Sequence, residues 1–112
     1  MERLQLCRLS DVADGGSAAF EPTINGQPRR LMAIRRGDRM FVYENSCPHL
    51  GWPLDIVAGR FLDAGGRHIL CTNHGALFRI DDGVCVKGPC IGAALPAVPA
   101  EVTGGIVVVV LT

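Results

Sequence analysis

Short apolar runs, broken every few positions by glycine, proline or charged residues, set the pattern of this chain. The fourteen glycines and seven prolines leave no window of about twelve residues with the apolar spacing of an amphipathic helix. Runs rich in β-branched and aromatic residues instead predict short strands. We therefore expect a nearly all-β fold with strands at residues 4–9, 31–35, 40–43, 68–71, 77–80, 84–86, 97–102 and 106–111.

Short polar segments that contain glycine separate several of these runs. Those at 36–38, 81–83 and 101–105 predict tight turns, because glycine adopts a positive φ at low cost. The final run, 106–111, is apolar at every position, which favours a strand covered on both faces. No internal repeat or linker divides the sequence, so we expect one domain over residues 1–112, built as an antiparallel sandwich or barrel.

Charge and hydropathy narrow the possible partners. Eleven Lys and Arg balance eleven Asp and Glu, so the formal net charge of zero offers no general attraction to nucleic acid or anionic lipid. The longest apolar run is far shorter than the roughly 20 residues that cross a bilayer. The charged N-terminus leaves no room for the apolar core of a signal peptide. We therefore expect a cytoplasmic protein that binds neither nucleic acid nor membrane.

Two short segments concentrate the metal-binding chemistry. The first box, residues 47–51, supplies Cys47 and His49, and the second box, residues 71–75, supplies Cys71 and His74. Each box combines a thiolate with an imidazole and ends in a glycine that lets the backbone turn close to a bound group. An odd count of five cysteines in a chain expected to be cytoplasmic also argues against a disulfide framework and favours metal ligation.

This pair of boxes, with 21 residues between His49 and Cys71, resembles the cluster-binding pattern of Rieske iron-sulfur proteins. The resemblance implies one 2Fe-2S cluster, with Cys47 and Cys71 on one iron and His49 and His74 on the other. It also implies the Rieske fold, in which two hairpin loops form a cluster-binding subdomain, here about residues 45–92. The Gly88-Pro89 dipeptide resembles the proline loop that shields the cluster in this family.

Among Rieske proteins, the chain resembles the soluble ferredoxins. That resemblance implies a one-electron carrier, not itself a catalyst, that links a reductase to a terminal oxygenase or another oxidoreductase. High-potential respiratory members place hydrogen-bond donors and a disulfide beside the cluster, whereas this chain has Trp52, Asn73, Ala76 and Phe78 at the corresponding places. We therefore expect a potential in the lower half of the range of about −150 to +300 mV. Soluble Rieske ferredoxins usually have a shorter insert between the boxes, so residues 55–67 are expected to form an extra loop or hairpin.

Other interpretations of the cysteines and histidines stay open. A Cys2His2 set also suits structural zinc, although zinc sites usually pair residues of one type within each box. A redox-sensing or accessory subunit of a larger oxidoreductase is a further alternative. For Cys7, Cys85, Cys90 and His68 we expect ordinary structural roles, with a disulfide between Cys85 and Cys90 left open.

Overall fold

The computed structural model describes residues 2–46, 54, 61–71 and 75–111. These residues form antiparallel strands and one short 3-10 turn at Leu9–Asp11, without an α-helix in the described ranges. The expected all-β class is therefore confirmed. The strands are β1 Glu2–Arg8, β2 Ser17–Phe20, β3 Thr23–Ile24, β4 Gln27–Pro28, β5 Leu31–Arg36, β6 Arg39–Glu44, β7 His68–Cys71, β8 Ala76–Arg79, β9 Cys85–Lys87, β10 Ala97–Val98, β11 Ala100–Thr103 and β12 Ile106–Leu111.

Three sheets make up most of the molecule. The base sheet has the strand order β1-β12-β11, the middle sheet β10-β6-β5-β2 and the upper sheet β7-β8-β9, while β3 and β4 form a separate hairpin. Strand β5 shows how the sheets stack, because its alternating side chains are buried on both faces. Leu31 and Ala33 join one hydrophobic core, and Met32 and Ile34 join another. The middle sheet therefore separates two cores.

The base core lies between the middle and base sheets, and the upper core lies between the middle and upper sheets. The buried members of the base core are Val12, Ile24, Leu31, Ala33, Met40, Val42, Val98, Val107, Val109 and Leu111. Those of the upper core are Met32, Ile34, Tyr43, Leu54, Phe61, Ile69, Cys71, Ala76, Phe78, Ile80, Cys85 and Leu95.

Two strand predictions are corrected by the structure. No strand was expected between residues 10 and 30, yet β2, β3 and β4 lie there, the last two joined at Asn25-Gly26, where both residues have positive φ. The single strand expected at 97–102 is two strands, because Pro99 has no N–H to continue a ladder. Before Pro99 the chain pairs with β6, and after it the chain pairs with β12.

The predicted turns are confirmed, whereas the predicted burial of the last strand is not. The turns expected at 36–38, 81–83 and 101–105 are confirmed as connections between neighbouring antiparallel strands, although Arg36 still belongs to β5 and residues 101–103 belong to β11. Strand β12 is central in its sheet, but only one of its faces is fully buried, so the expected cover on both faces is wrong. Within the described residues there is no helix with the length and apolar character needed to span a membrane.

Candidate metal centre

Cys71 is the one predicted ligand that the structure places. It is the last residue of β7, is 0% exposed, and faces Ala76 at the start of β8. The N–H of Gly75 donates to the carbonyl of Cys71 at 2.8 Å, which closes the turn that follows the strand. The second box therefore begins and ends on a tight hairpin, with its thiol buried in the upper core.

Two residues that flank the first box in sequence are joined by a hydrogen bond. Asn45, just after β6, is 7% exposed, and its side-chain Oδ1 accepts the backbone N–H of Leu54 at 2.8 Å. The Asn45 N–H in turn donates to the carbonyl of Arg30 at 2.9 Å, which fixes Asn45 to the middle sheet. Leu54 is fully buried in the upper core, to which Cys71 also belongs. The segment between these two residues is thus closed at its base by a buried polar contact that the sequence analysis missed.

The loop after β9 packs against Ala76, the residue that directly follows the second box. Gly88 has φ +107, and a Cβ at this position would lie 2.8 Å from the Cα of Ala76. Only glycine fits such a close approach without displacing backbone. The segment expected to act as the proline loop therefore lies against the first residue of β8, directly after Gly75.

The other predicted ligands, Cys47, His49 and His74, lie outside the described residues, as do Trp52 and Asn73. Within the described ranges, no three His, Cys, Asp or Glu side chains gather into a metal site. The four-residue ligand set therefore stays a prediction, to which the structure adds the position of Cys71.

The end of the insert between the boxes forms a hairpin-like turn. Leu62 and Ile69 pair as an isolated bridge, and the N–H groups of Arg67 and His68 donate to Oδ1 of Asp63 at 3.0 and 3.2 Å. Desolvation acts to raise the pKa of Asp63, but these two backbone bonds and His68 outweigh it and lower the pKa. The loop or hairpin expected at 55–67 is hairpin-like in its described part, residues 61–67, while 55–60 lie outside the described residues. His68 has the ordinary structural role expected, with its Nδ1 3.5 Å from Asp63 Oδ2.

Two buried side chains that follow the second box, among the residues the structure describes, cannot donate hydrogen bonds. Ala76 and Phe78 are both 0% exposed and carry no hydroxyl. The single tyrosine, Tyr43, donates its hydroxyl to the carbonyl of Ile80 at 2.6 Å. Burial, followed by the charges of Asp82 and Asp81, raises the pKa of this phenol to about 12. The tyrosine hydroxyl is therefore neutral and bonded to a main-chain carbonyl.

Three cysteines outside the boxes are described. Cys7 is half-buried near the base core, where desolvation and the charge of Asp11 raise its pKa to about 11. Cys85 is buried in the upper core, and the partly exposed Cys90 packs against that core. The Cys85 and Cys90 sulfurs are 3.2 Å apart and are not joined as a disulfide.

The all-β fold, with a buried cysteine at the end of a strand of the upper sheet, is of a kind that suits an iron-sulfur domain. The Rieske [2Fe-2S] domain matches residues 2–102, so the chain belongs to this family, whose cofactor is a 2Fe-2S cluster. No curated protein sequence matches the chain.

Solved structures share the fold. The ferredoxin of carbazole 1,9a-dioxygenase from Nocardioides aromaticivorans IC177 is 23% identical, with a TM-score of 0.78 and 100% of both chains covered. The Sphingomonas yanoikuyae B1 ferredoxin is 24% identical, with a TM-score of 0.73 and coverage of 99% of this chain and 100% of that one. The terminal oxygenase of carbazole 1,9a-dioxygenase from Nocardioides aromaticivorans IC177 is 22% identical, with a TM-score of 0.79 and coverage of 99% of this chain but 30% of its own.

Proposed function

We propose that this protein is a one-electron carrier of the Rieske ferredoxin type, with its 2Fe-2S cluster held by Cys47, His49, Cys71 and His74. The cluster, when bound, supplies a site that takes up and releases one electron at a time. The residues of the chain hold that site in place and limit the access of water. No catalytic residue is assigned.

The end-to-end likeness to two ferredoxins is the observation that carries this proposal. The chain aligns with both of them over their full length, whereas it aligns with only 30% of a terminal oxygenase. The remaining 70% of that oxygenase, which has no counterpart in this chain, would have to supply its active site. A small carrier domain is therefore the best fit.

The donor set suits the cluster. One thiol and one imidazole in each box match the two kinds of iron site in a Rieske cluster. The buried Cys71 lies at the end of β7 opposite Ala76, and the loop of Gly88 packs against Ala76. Such a ligand is shielded from solvent and rigidly held.

The partners follow from the same likeness. One solved structure at 26% identity is a complex of reduced oxygenase and oxidized ferredoxin in carbazole 1,9a-dioxygenase, with 96% of this chain aligned. We propose a reductase as the electron donor and a terminal oxygenase, or another oxidoreductase, as the acceptor. A cytoplasmic location and a single domain over residues 1–112 are part of the same proposal.

The potential should fall in the lower half of the range of about −150 to +300 mV. Hydrogen bonds to the sulfurs stabilise the extra negative charge of the reduced state and raise the potential. Ala76 and Phe78 cannot donate such bonds, and the Tyr43 hydroxyl is bonded to Ile80. A redox titration that gave a value near the top of the range would contradict this expectation.

The decisive experiment combines spectroscopy with electron transfer. Anaerobically purified protein is analysed for iron and acid-labile sulfide, and its electron paramagnetic resonance spectrum is recorded before and after reduction. We expect two irons per chain and a Rieske signal only in the reduced state. The reduced protein should then be reoxidised by a Rieske-type terminal oxygenase with its substrate. Colourless protein with bound zinc would overturn the cluster, and a normal cluster that supports no oxygenase would favour the redox-sensing alternative.

A further inference from the structure

Two cysteine thiols meet at the base of the loop that carries Gly88 and Pro89. The Sγ atoms of Cys85 and Cys90 are 3.2 Å apart, and a shift of about 1 Å would bring them to the bond length of a disulfide. The Cys85 thiol also donates to the carbonyl of Lys87 at 3.2 Å. Both cysteines lie outside the two boxes, so neither belongs to the predicted ligand set.

The main chain holds these two residues in place. The N–H of Cys85 donates to the carbonyl of Ala93 at 2.8 Å, and its carbonyl accepts the N–H of Gly92 at 3.1 Å. The Ala93 N–H donates to the carbonyl of Cys90 at 2.9 Å. The loop is therefore closed on itself by backbone bonds, and the thiols face each other as a consequence of that closure.

The two sulfurs differ in their access to solvent. Cys85 is 1% exposed, whereas Cys90 is partly exposed. An external reagent therefore reaches Cys90 first, and the buried Cys85 sulfur is in position to complete the reaction.

We propose that Cys85 and Cys90 form a reversible disulfide with a small-molecule disulfide, such as oxidised glutathione, as the oxidant. The Cys90 thiolate attacks one sulfur of the oxidant, which releases one glutathione thiolate and leaves a mixed disulfide. The Cys85 thiolate then attacks the Cys90 sulfur, forms the internal bond and releases the second glutathione thiolate. The two cysteine protons pass to the two released thiolates. Two cysteine thiols are oxidised and one glutathione disulfide is reduced.

The Cys85–Cys90 disulfide would link the loop of Gly88 covalently to the upper core. Gly88 lies between the two cysteines in sequence and packs against Ala76, which faces Cys71 across the β7-β8 hairpin. A covalent link from the buried Cys85 to Cys90 restricts the opening of this loop away from Ala76. The oxidised form is therefore expected to retain iron longer than the reduced form.

The sequence offers a direct test. Trypsin cuts after Arg79 and after Lys87, so Cys85 and Cys90 fall on separate peptides, 80–87 and 88–112, each with one cysteine. Holoprotein is equilibrated with mixtures of reduced and oxidised glutathione, alkylated and digested. We expect a linked pair of these two peptides in oxidising mixtures, reversed by dithiol. Two separately alkylated peptides in every mixture would overturn the proposal.

Three variants sharpen this test. In Cys85→Ser, the hydroxyl replaces the thiol donor to Lys87, and Cys90 should accumulate as the mixed disulfide with glutathione. In Cys90→Ser, the linked peptides should disappear. Cys7→Ser is the matched control, because Cys7 lies near the other core, and it should form the link as the original chain does. A Cys85→Ser protein without the mixed disulfide would contradict the assigned order of attack.

The effect on the loop is measured by the rate of iron loss to a chelator. We expect oxidised protein to lose iron about fivefold more slowly than reduced protein, and the difference to vanish in Cys90→Ser. This measurement rests on the proposed cluster, whereas the peptide link does not. A linked peptide with an unchanged rate of iron loss would overturn the expected restriction of loop opening by the disulfide. A colourless protein that still forms the link would overturn the cluster alone.

Discussion

The two hydrophobic cores differ in chemistry although the same sheet lines both. As far as the structure describes them, the buried members of the base core are Val, Ile, Leu, Ala and Met. The buried members of the upper core also include one tyrosine, two phenylalanines and two cysteines. One of these cysteines is Cys71. Alternating residues of β5 enter the two cores in turn, so one strand joins the aliphatic core to the core that contains the predicted ligand Cys71.

This division shows where each kind of constraint acts. The base core can accept any well-packed aliphatic set, since its task is to bury apolar area. The upper core must also position the ends of three loops: Leu54 after the first box, Cys71 and Ala76 around the second, and Cys85 beside the loop of Gly88. A defect in the base core should cost stability, whereas a defect in the upper core should also disturb the cluster.

The largest effect is expected from Cys71→Ser, compared with Cys7→Ser. Replacing a thiolate ligand by a hydroxyl should remove nearly all bound iron, because serine is a far weaker ligand for this metal. The Cys7 variant lies near the base core and should keep its full iron content. Iron and acid-labile sulfide per chain are the measurements. A Cys71→Ser protein with two irons and an unchanged spectrum would contradict the assigned ligand set.

A pair of substitutions on β5 compares the cores directly. Leu31 and Ile34 are 0% and 1% exposed, and their side chains enter the base core and the upper core respectively. Leu31→Ala and Ile34→Ala should each lower the free energy of unfolding by about 2–5 kcal/mol. When the two variants are compared at equal free energy of unfolding, only Ile34→Ala should lose iron to a chelator faster than the original protein. Equal rates of iron loss in the two variants would mean that the cores are not functionally separate.

The sequence alone was informative where local chemistry decides the outcome. The second box predicted a hairpin that the structure confirms, and glycine in polar segments marked three of the turns correctly. The strands at 17–28 were missed because polar residues and proline interrupt their apolar pattern. Pro99 redirects the chain between two sheets, which depends on packing partners that are distant in sequence.

For the candidate site too, some features could be predicted from the sequence and others could not. The types of the ligand residues can be recognised in the sequence. The buried contact between Asn45 and Leu54 cannot, because only the folded chain brings the two together. The sole signal for Asn45 is a polar residue directly after an apolar strand. Similarly, the sequence left a Cys85 and Cys90 pair open, and only the backbone bonds of the loop bring the two sulfurs into contact.

An intermediate effect is expected from Asn45→Leu. The substitution leaves the buried N–H of Leu54 without this acceptor and should lower the free energy of unfolding by about 1–3 kcal/mol. It should also speed iron loss, since Leu54 follows the first box. Gln27→Leu, at an exposed position of β4, is the control and should change neither quantity. Denaturant unfolding and chelator kinetics test both expectations, and an Asn45→Leu protein that matched the control would show that this contact does not hold the first box.

The smallest effect concerns the alkaline limit of stability and belongs to Tyr43. Its raised pKa, about 12, means that the folded protein keeps the phenolic proton after the unfolded chain has released it near pH 10. Stability is therefore unaffected by this group below about pH 10 and falls as the pH rises towards 12, by at most about 3 kcal/mol. The chain has one tyrosine, so its phenolate absorbance can be titrated directly, with Tyr43→Phe as the blank. The same variant should cost about 1 kcal/mol at neutral pH through the lost bond to Ile80. A midpoint near 10 would place the hydroxyl in water and remove Tyr43 from the upper core.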